Sequence, residues 1–289
     1  MGISIVICTF NSSESLERCL NSLIRVKDMG IDYEIVIIDN NSNDNTKDLV
    51  EQFRKLNDRI IYNFFPIQGL AKARNYGIKM SKKEYILFTD DDITFDKNFL
   101  IGYKDIIEAS KPGLAGGRIL LKYATERPKW LNDKIDYVYG WLDYGTDNKI
   151  YPEGSYPLGP SFLVKRSLLS IYGEFDENLG LKGNEQTVSR GEETELAIRF
   201  KNKGILMHYC GSSLVYHNVN TKRLKREWFI SRFVDAGKLF TGLNSRNYLY
   251  FYLKYLISVI GKTIYHKKSS SYFYYSCKNH YFKNILKIK

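Results

Sequence analysis

The chain has 289 residues, 44% of them hydrophobic and 26% charged, which is ordinary for a globular protein and long for one domain without forcing two. Its net charge of +11 is unevenly spread: residues 201–289 hold 17 Lys and Arg against only Glu227 and Asp235, which points to an anionic partner for that end, nucleic acid or a membrane face. Cys8, Cys19, Cys210 and Cys277 show no CxxC spacing and no nearby His at zinc-ligand intervals, so reduced thiols of a cytosolic protein are expected.

Residues 3–8 (ISIVIC) form a continuous apolar run, fit for a strand buried on both faces. No basic region precedes it, so it is expected to be a strand of the mature protein and not a signal peptide. Residues 11–14 (NSSE) place a capping side chain three residues before a glutamate, the mark of a helix start. Leu16, Cys19, Leu20, Leu23 and Ile24 then follow at helical spacing. A second strand is predicted at 33–39 and a helix through Leu49, Val50, Phe53 and Leu56. A strand at 60–65, a helix at 70–80 and a strand at 85–89 complete the alternation. Such alternation with short links predicts an α/β fold with a mostly parallel sheet flanked by helices.

A further strand is expected at 113–121. Residues 122–157, rich in Tyr, Trp and Asp without a clean period, read as long loops and a short helix covering the site. Regularity returns at 161–164, in a helix at 193–203 carrying Leu196, Ile198 and Phe200, and at 205–209. Glu195 and Arg199 are four apart and should pair on that helix. Residues 247–265 are the greasiest part of the tail, but Lys254 interrupts them before the about 20 apolar residues that a bilayer span needs. With Tyr throughout and Lys262, Lys267 and Lys268 behind, the segment suits a helix lying at a membrane interface. Packing on the rest of the protein, or in a homodimer, is the alternative.

In open sheets of this kind, ligands bind beyond the carboxyl ends of the strands. Three polar clusters fall there: Thr9-Phe10-Asn11, Asp39-Asn40-Asn41-Ser42 and Asp90-Asp91-Asp92. No GxxxxGK[ST] loop occurs, and the turn after the first strand has no glycine, so a P-loop NTPase and a dinucleotide-binding Rossmann domain are both excluded. Carboxylates stand where phosphate sites usually place amides. A diphosphate could bind there through a hard divalent cation, Mg²⁺ or Mn²⁺. In an extended segment Asp90 and Asp92 would share a face while Asp91 points away.

The ordered set ICTFN (7–11), IIDNNSND (37–44), GLAKARNYGI (69–78), FTDDDI (88–93), FDENLG (175–180) and GEETELAIR (191–199) resembles the inverting family 2 glycosyltransferases of the GT-A fold. The resemblance covers roughly residues 3–240 and implies a bacterial glycan-assembly enzyme. It implies that Asp39 accepts a hydrogen bond from the nucleotide base, with Thr9, Phe10 and Asn11 lining the nucleotide-sugar site and Arg74 near the base or diphosphate. A plain turn-forming Asp39 and a helix-surface Arg74 are the alternatives. Asp90 would face the ribose, Asp92 would bind Mn²⁺ or Mg²⁺ with His217, and Asp91, counted with the nucleotide-sugar site, could substitute for either aspartate. Glu193 would be the catalytic base, in a place where an aspartate often stands, and Glu192 would bind the acceptor. Pro128-Lys129-Trp130 and Gly159-Pro160-Ser161-Phe162 fall where relatives recognise the acceptor; tryptophan stacks on sugar rings, and equally packs in a core.

The implied reaction moves a sugar from a nucleotide diphosphate sugar, UDP-sugar being favoured, to a hydroxyl of a glycan or polyprenyl-linked saccharide. Residues 1–240 would form the catalytic domain, with 1–121 binding the nucleotide sugar and 122–240 the acceptor. Residues 241–289 would form a basic, aromatic helical extension. The expected location is cytoplasmic, peripheral at the inner face of the cell membrane. Two rival readings stand beside this. A sugar nucleotidyltransferase would carry a glycine-rich N-terminal loop that residues 3–11 lack. A nucleic-acid-binding protein could use Lys222-Arg223-Leu224-Lys225-Arg226, but leaves the aspartate rim unexplained, so no nucleic acid is expected.

Overall fold

The computed structural model describes residues 2–180, 191–239 and 245–288. In chain order the elements are β1 (Gly2–Thr9), α1 (Ser13–Leu23), β2 (Asp32–Asp39), α2 (Thr46–Leu56), β3 (Ile60–Phe64) and α3 (Leu70–Met80). Next come β4 (Tyr85–Asp90), β5 (Ile93–Phe95), α4 (Phe99–Ser110), β6 (Leu114–Tyr123), β7 (Lys149–Ile150) and β8 (Phe162–Lys165). The chain continues through α5 (Arg166–Tyr172), α6 (Glu192–Lys201), β9 (Met207–Val219), α7 (Arg226–Leu239), α8 (Ser245–Ile264) and α9 (Ser270–Ile285).

The sheet runs β3-β2-β1-β4-β8-β6-β9-β5, with β7 on β9. The pairings among β1, β2, β3 and β4 are parallel, whereas β8 joins β4 and β6 antiparallel, and β5 and β7 join β9 antiparallel. The parallel half is the one the apolar runs predict: β1, β2 and β4 are buried on both faces along most of their length. Ile3, Ile5, Val6 and Ile7 of β1 are all buried, packed with Leu16, Leu20 and Leu23 of α1 and Val50 and Phe53 of α2. Gly77 of α3 lies so close to β1 that a Cβ there would meet Val6 Cγ1 at 2.5 Å. A larger residue would push α3 off the sheet.

Three local expectations change. The expected capping box does not form: α1 begins at Ser13, and Ser12 Oγ donates to Phe10 O instead of capping. Asp44, from the loop after β2, accepts from Ser13 N at 2.9 Å and satisfies the helix start from outside. α4 and α5 form where no helix was read; α4 buries Leu100, Tyr103, Ile106 and Ile107, a helical spacing that Gly102 and the flanking apolar residues obscure. β9 extends well beyond 205–209, because 207–219 alternates buried and more exposed positions along most of its length. In 122–157 the structure has a 3-10 turn at Asp133–Tyr139 and the short β7.

The chain divides into two compact units, Met1–Leu121 with Leu142–Asn218, and Lys122–Trp141 with Val219–Lys289. These limits cut across the expected parts, and the expected boundary at 240 and 241 lies outside the described residues. The second unit is helical and aromatic. Its α9 buries Phe273, Cys277 and Ile285, and Gly237 lets α7 approach the backbone of Tyr281. No helix among the described residues is long and apolar enough to cross a membrane.

Candidate active site

Strand register brings the polar clusters to one edge. Thr9 pairs with Asp39 across β1 and β2, and Cys8 with Asp90 across β1 and β4. Asp39 is 2% exposed and accepts from Ser42 N at 2.9 Å and from the Tyr62 hydroxyl at 2.7 Å. The turn-forming role is thus present. It does not exhaust the carboxylate, since each oxygen can accept two hydrogen bonds. Phe10 is half-buried on the first turn. Asn11 and Asn41 take positive φ angles of 48° and 70°, which Asn tolerates better than most residues. Asn11 Oδ1 accepts from Asn43 N at 2.8 Å, tying the first rim loop to the second. Asn40 has a role that no motif singled out: its side chain donates to Phe65 O and Ile67 O and accepts from Gly69 N, fixing the loop ahead of α3.

The acidic run ends a strand instead of continuing it. Asp90 closes β4, and Asp91 and Asp92 form the turn into β5, so the alternation expected for an extended segment does not hold. Each carboxylate has its own partner. Asp90 Oδ1 lies 3.2 Å from Arg74 Nη2, Asp91 Oδ2 accepts from Thr9 Oγ1 at 2.6 Å, and Asp92 Oδ1 lies 3.1 Å from His217 Nε2. His217 arrives there because β5 pairs with β9, with Ile93 opposite His217. Asn218 holds the turn by donating to Asp92 O from its backbone N at 2.9 Å and its Nδ2 at 3.0 Å.

Arg74 on α3 is the centre of a second cluster. It is 3% exposed, so the helix-surface alternative is wrong for this residue. Its Nη1 lies 2.7 Å from Glu192 Oε1 and 3.5 Å from Glu193 Oε2, in addition to the Asp90 contact. Burial opposes its charge, yet the surrounding carboxylates raise its pKa above the ordinary value. Burial likewise raises the Glu192 carboxyl above the usual carboxylate range, against the lowering pull of Arg74 and with the like charge of Glu193 adding to the rise. Glu192 and Glu193 open α6, behind Gly191 in a left-handed conformation, where their charges favour the helix start. Glu192 spends its second oxygen on Gly191 N. The Glu193 side chain is 20% exposed, against 4% for Glu192, and is the more open of the two. Glu195 pairs with Arg199 at 2.8 Å, as the spacing predicts.

Gly159 belongs to this cluster. A Cβ there would meet Arg74 Nη2 at 2.8 Å and Glu193 Oε1 at 3.1 Å, so a larger residue would push the ends of these two side chains aside. The FDENLG segment is held from α3: Asn75 donates to Phe175 O and accepts from Phe175 N, both at 3.0 Å. Trp130 lies in the second unit, where its ring sits 4.5 Å from Phe273 and 6.3 Å from Phe229, with Arg226 over its face.

A carboxylate-lined strand edge with an acidic turn, a histidine beside it and glutamates opening a helix suits a phosphorylated, metal-associated substrate. Residues 4–173 match the family described as glycosyl transferase family 2, more than half of the chain. The chain belongs to that family. It is 30% identical over 175 residues to the poly(ribitol-phosphate) beta-glucosyltransferase of Bacillus spizizenii, an alignment covering 58% of this chain and 26% of the relative. The chain thus spans about a quarter of that relative's length. Among solved structures, GalNAc-T7 with UDP, GalNAc and Mn²⁺ superposes with a TM-score of 0.60 at 16% identity, covering 96% of this chain and 55% of that one. The crystal structure of Staphylococcus aureus TarS gives a TM-score of 0.53 at 18% identity, covering 91% and 45%. These likenesses concern the fold, which is the GT-A fold of glycosyltransferases.

Proposed function

We propose that this family 2 member is an inverting glycosyltransferase that moves a sugar from a nucleotide diphosphate sugar to a hydroxyl of a glycan or lipid-linked saccharide. The observation that supports it most is the meeting of Asp90 and Glu193 on one buried cation, Arg74, at the carboxyl edge of β1 and β4. In this reading Asp90 is the donor-side carboxylate and Glu193 the base, both within 3.5 Å of the Arg74 guanidinium. UDP is the favoured nucleotide, in keeping with the UDP-bound GalNAc-T7 structure, and Thr9, Phe10, Asn11 and Asp39 would take the base and ribose side.

In a single displacement at the anomeric carbon, Glu193 takes the proton of the attacking hydroxyl while the diphosphate departs from the opposite face. Gly159 keeps the space beside Glu193 open. Glu192, buried against Arg74, serves in this proposal as the counter-ion that positions the guanidinium, in place of the acceptor-binding role that the family pattern implies. Asp92 and His217 fit a shared divalent cation: one oxygen and one nitrogen donor, His217 buried and Asp92 largely so, at 3.1 Å from each other. Among the described residues no group of three or more His, Cys, Asp or Glu forms a metal cage, so further ligands would come from diphosphate and water. Mn²⁺ or Mg²⁺ bound there would neutralise charge on the leaving diphosphate.

Trp130 and the rest of 122–240 are proposed to serve the acceptor, and 1–121 the donor. Polyanionic or polyprenyl-linked acceptors would suit the basic C-terminal half, and the relative's poly(ribitol-phosphate) acceptor is of that kind. A cytoplasmic enzyme touching the inner face of the cell membrane through residues 247–289 completes the proposal. The test is hydrolysis of a panel of nucleotide sugars without acceptor, with Mn²⁺, with Mg²⁺ and after EDTA. Metal-dependent release of UDP from one sugar is expected; release of pyrophosphate from a nucleoside triphosphate and sugar phosphate would favour the nucleotidyltransferase instead.

A further inference from the structure

α8 carries its apolar residues on the wrong side for a helix of a water-soluble bundle. Leu249, Leu253, Leu256, Ile257, Ile260 and Ile264 are between 37% and 70% exposed. At helical periodicity these six fall within an arc of roughly 100°, with Tyr250 and Tyr252 at its margins. The other side of α8 is already occupied. Ser258 accepts from Asn279 Nδ2 of α9 at 3.2 Å, and Gly261 seats against the ring of Tyr275. The aliphatic stripe is therefore not a mispacked core but a second face. Single exposed aliphatics are common, whereas a contiguous stripe of six marks a contact.

Charge selects the occupant. No Asp or Glu follows Asp235, while Lys254, Lys267 and Lys268 are exposed on or just beyond α8. A second copy of this chain docking on the stripe would bring the same acid-free, basic helices against it, and like charges so juxtaposed are costly. Nucleic acid would meet the lysines but offers nothing to six aliphatic side chains. A bilayer rich in anionic lipid meets both needs: phosphates for the lysines and an acyl boundary for Leu and Ile.

We propose that the exposed stripe of α8, Leu249 to Ile264, docks in the plane of an anionic membrane surface. The aliphatic side chains enter the acyl boundary, Tyr250 and Tyr252 sit at headgroup depth, and the lysines lie on lipid phosphate. The helix lies along the surface and does not cross it. This inference deepens the membrane contact in the proposed function, naming its face and its lipid, and is independent of the transferase reading.

The experiment is co-sedimentation of the full chain with vesicles of phosphatidylglycerol and phosphatidylethanolamine, and with vesicles of phosphatidylcholine alone. The parent should bind the anionic vesicles preferentially. The variant Leu253→Ser/Ile257→Ser/Ile260→Ser should bind them roughly 100-fold more weakly, from the apolar area withdrawn. Gel filtration of both proteins runs alongside, and Leu253→Cys carrying an environment-sensitive dye reports insertion in a chain that is otherwise intact. A blue shift of the dye on anionic vesicles is expected. Undiminished binding by the triple variant, or no dye shift, overturns the assignment of the face while leaving membrane contact elsewhere on the chain. A parent that binds no vesicle overturns both. A parent dimer that the triple variant dissociates makes the occupant a second copy and overturns the proposal as well.

Discussion

Replacing Arg74 with methionine removes the one cation shared by Asp90, Glu192 and Glu193 while keeping most of the volume. Arg74 is 3% exposed and the Glu192 side chain 4%, so water cannot replace the guanidinium at that carboxylate. Removing one partner of a buried pair typically costs about 3–5 kcal/mol, because the other charge is left buried and uncompensated. The 2.7 Å contact to Glu192 accounts for most of this. The more open Asp90 and Glu193 are screened by solvent and add little.

The cost should depend on pH, and its sign follows from Glu192. Its carboxyl is already raised by burial, and Arg74 is the largest influence pulling it down, ahead of a backbone hydrogen bond. Without Arg74 it rises further, so the folded variant holds a proton over a window in which the unfolded chain has lost it. Both proteins lose stability as pH rises above the unfolded carboxylate value of about 4.3, but the variant parts from the parent only above the parent's folded Glu192 value of about 7. Arg74→Met should therefore lose about 3–5 kcal/mol relative to the parent at pH 8 and clearly less at pH 5. Urea denaturation followed by circular dichroism at the two pH values measures it, provided the slope with urea is unchanged. Equal midpoints for parent and variant at pH 8, or a larger loss at pH 5, would refute the claim that Arg74 compensates a buried Glu192.

The other expectations concern chemistry more than folding. Glu193→Gln should lower transfer roughly 10²–10⁴-fold at saturating acceptor with donor affinity nearly unchanged, while Glu192→Gln should act mainly on stability; the reverse pattern would move the base by one residue. Asp92→Ala should abolish metal-dependent donor hydrolysis, and His217→Ala should raise the Mn²⁺ concentration needed for half-maximal rate; unchanged Mn²⁺ titrations of both variants would remove the cation from this pair. Asp91→Ala should retain activity but lose about 1–3 kcal/mol of stability, because the buried Thr9 hydroxyl loses its acceptor. Gly159→Ala should cost about 1–3 kcal/mol and most of the activity, since its methyl would displace Arg74 and Glu193 together; a fully active Gly159→Ala shows the cluster can open without consequence.

The contrast between Asp39 and Gly159 shows what a sequence can disclose about this site. Asp39 ends an apolar run, and any buried parallel strand delivers its last polar residue to the ligand edge, so its position was legible from hydrophobicity alone. Register then did the rest, setting Thr9 opposite Asp39 and Cys8 opposite Asp90. Gly159 carries no such signal. Its closeness to Arg74 depends on where the 3-10 turn ahead of β8, far along the chain from α3, passes, and on the absence of a side chain, which hydrophobic patterning does not advertise. Arg74 shows the intermediate case: its place on α3 follows from helical spacing, but its burial among three carboxylates is a tertiary fact. On sequence the family pattern puts Arg74 near the base or diphosphate, with a helix-surface arginine as the alternative, and neither reading names its carboxylate partners. The same limit governs the acidic turn. Period-two alternation pairs Asp90 with Asp92 only if the strand continues; instead the pairing of β5 with β9 brings His217 and Asn218 to Asp92, while Asp90 meets Arg74 of α3 and Asp91 meets Thr9 of β1. Strand ends therefore name a site in this fold, while distant strands and loops decide what each of its carboxylates faces.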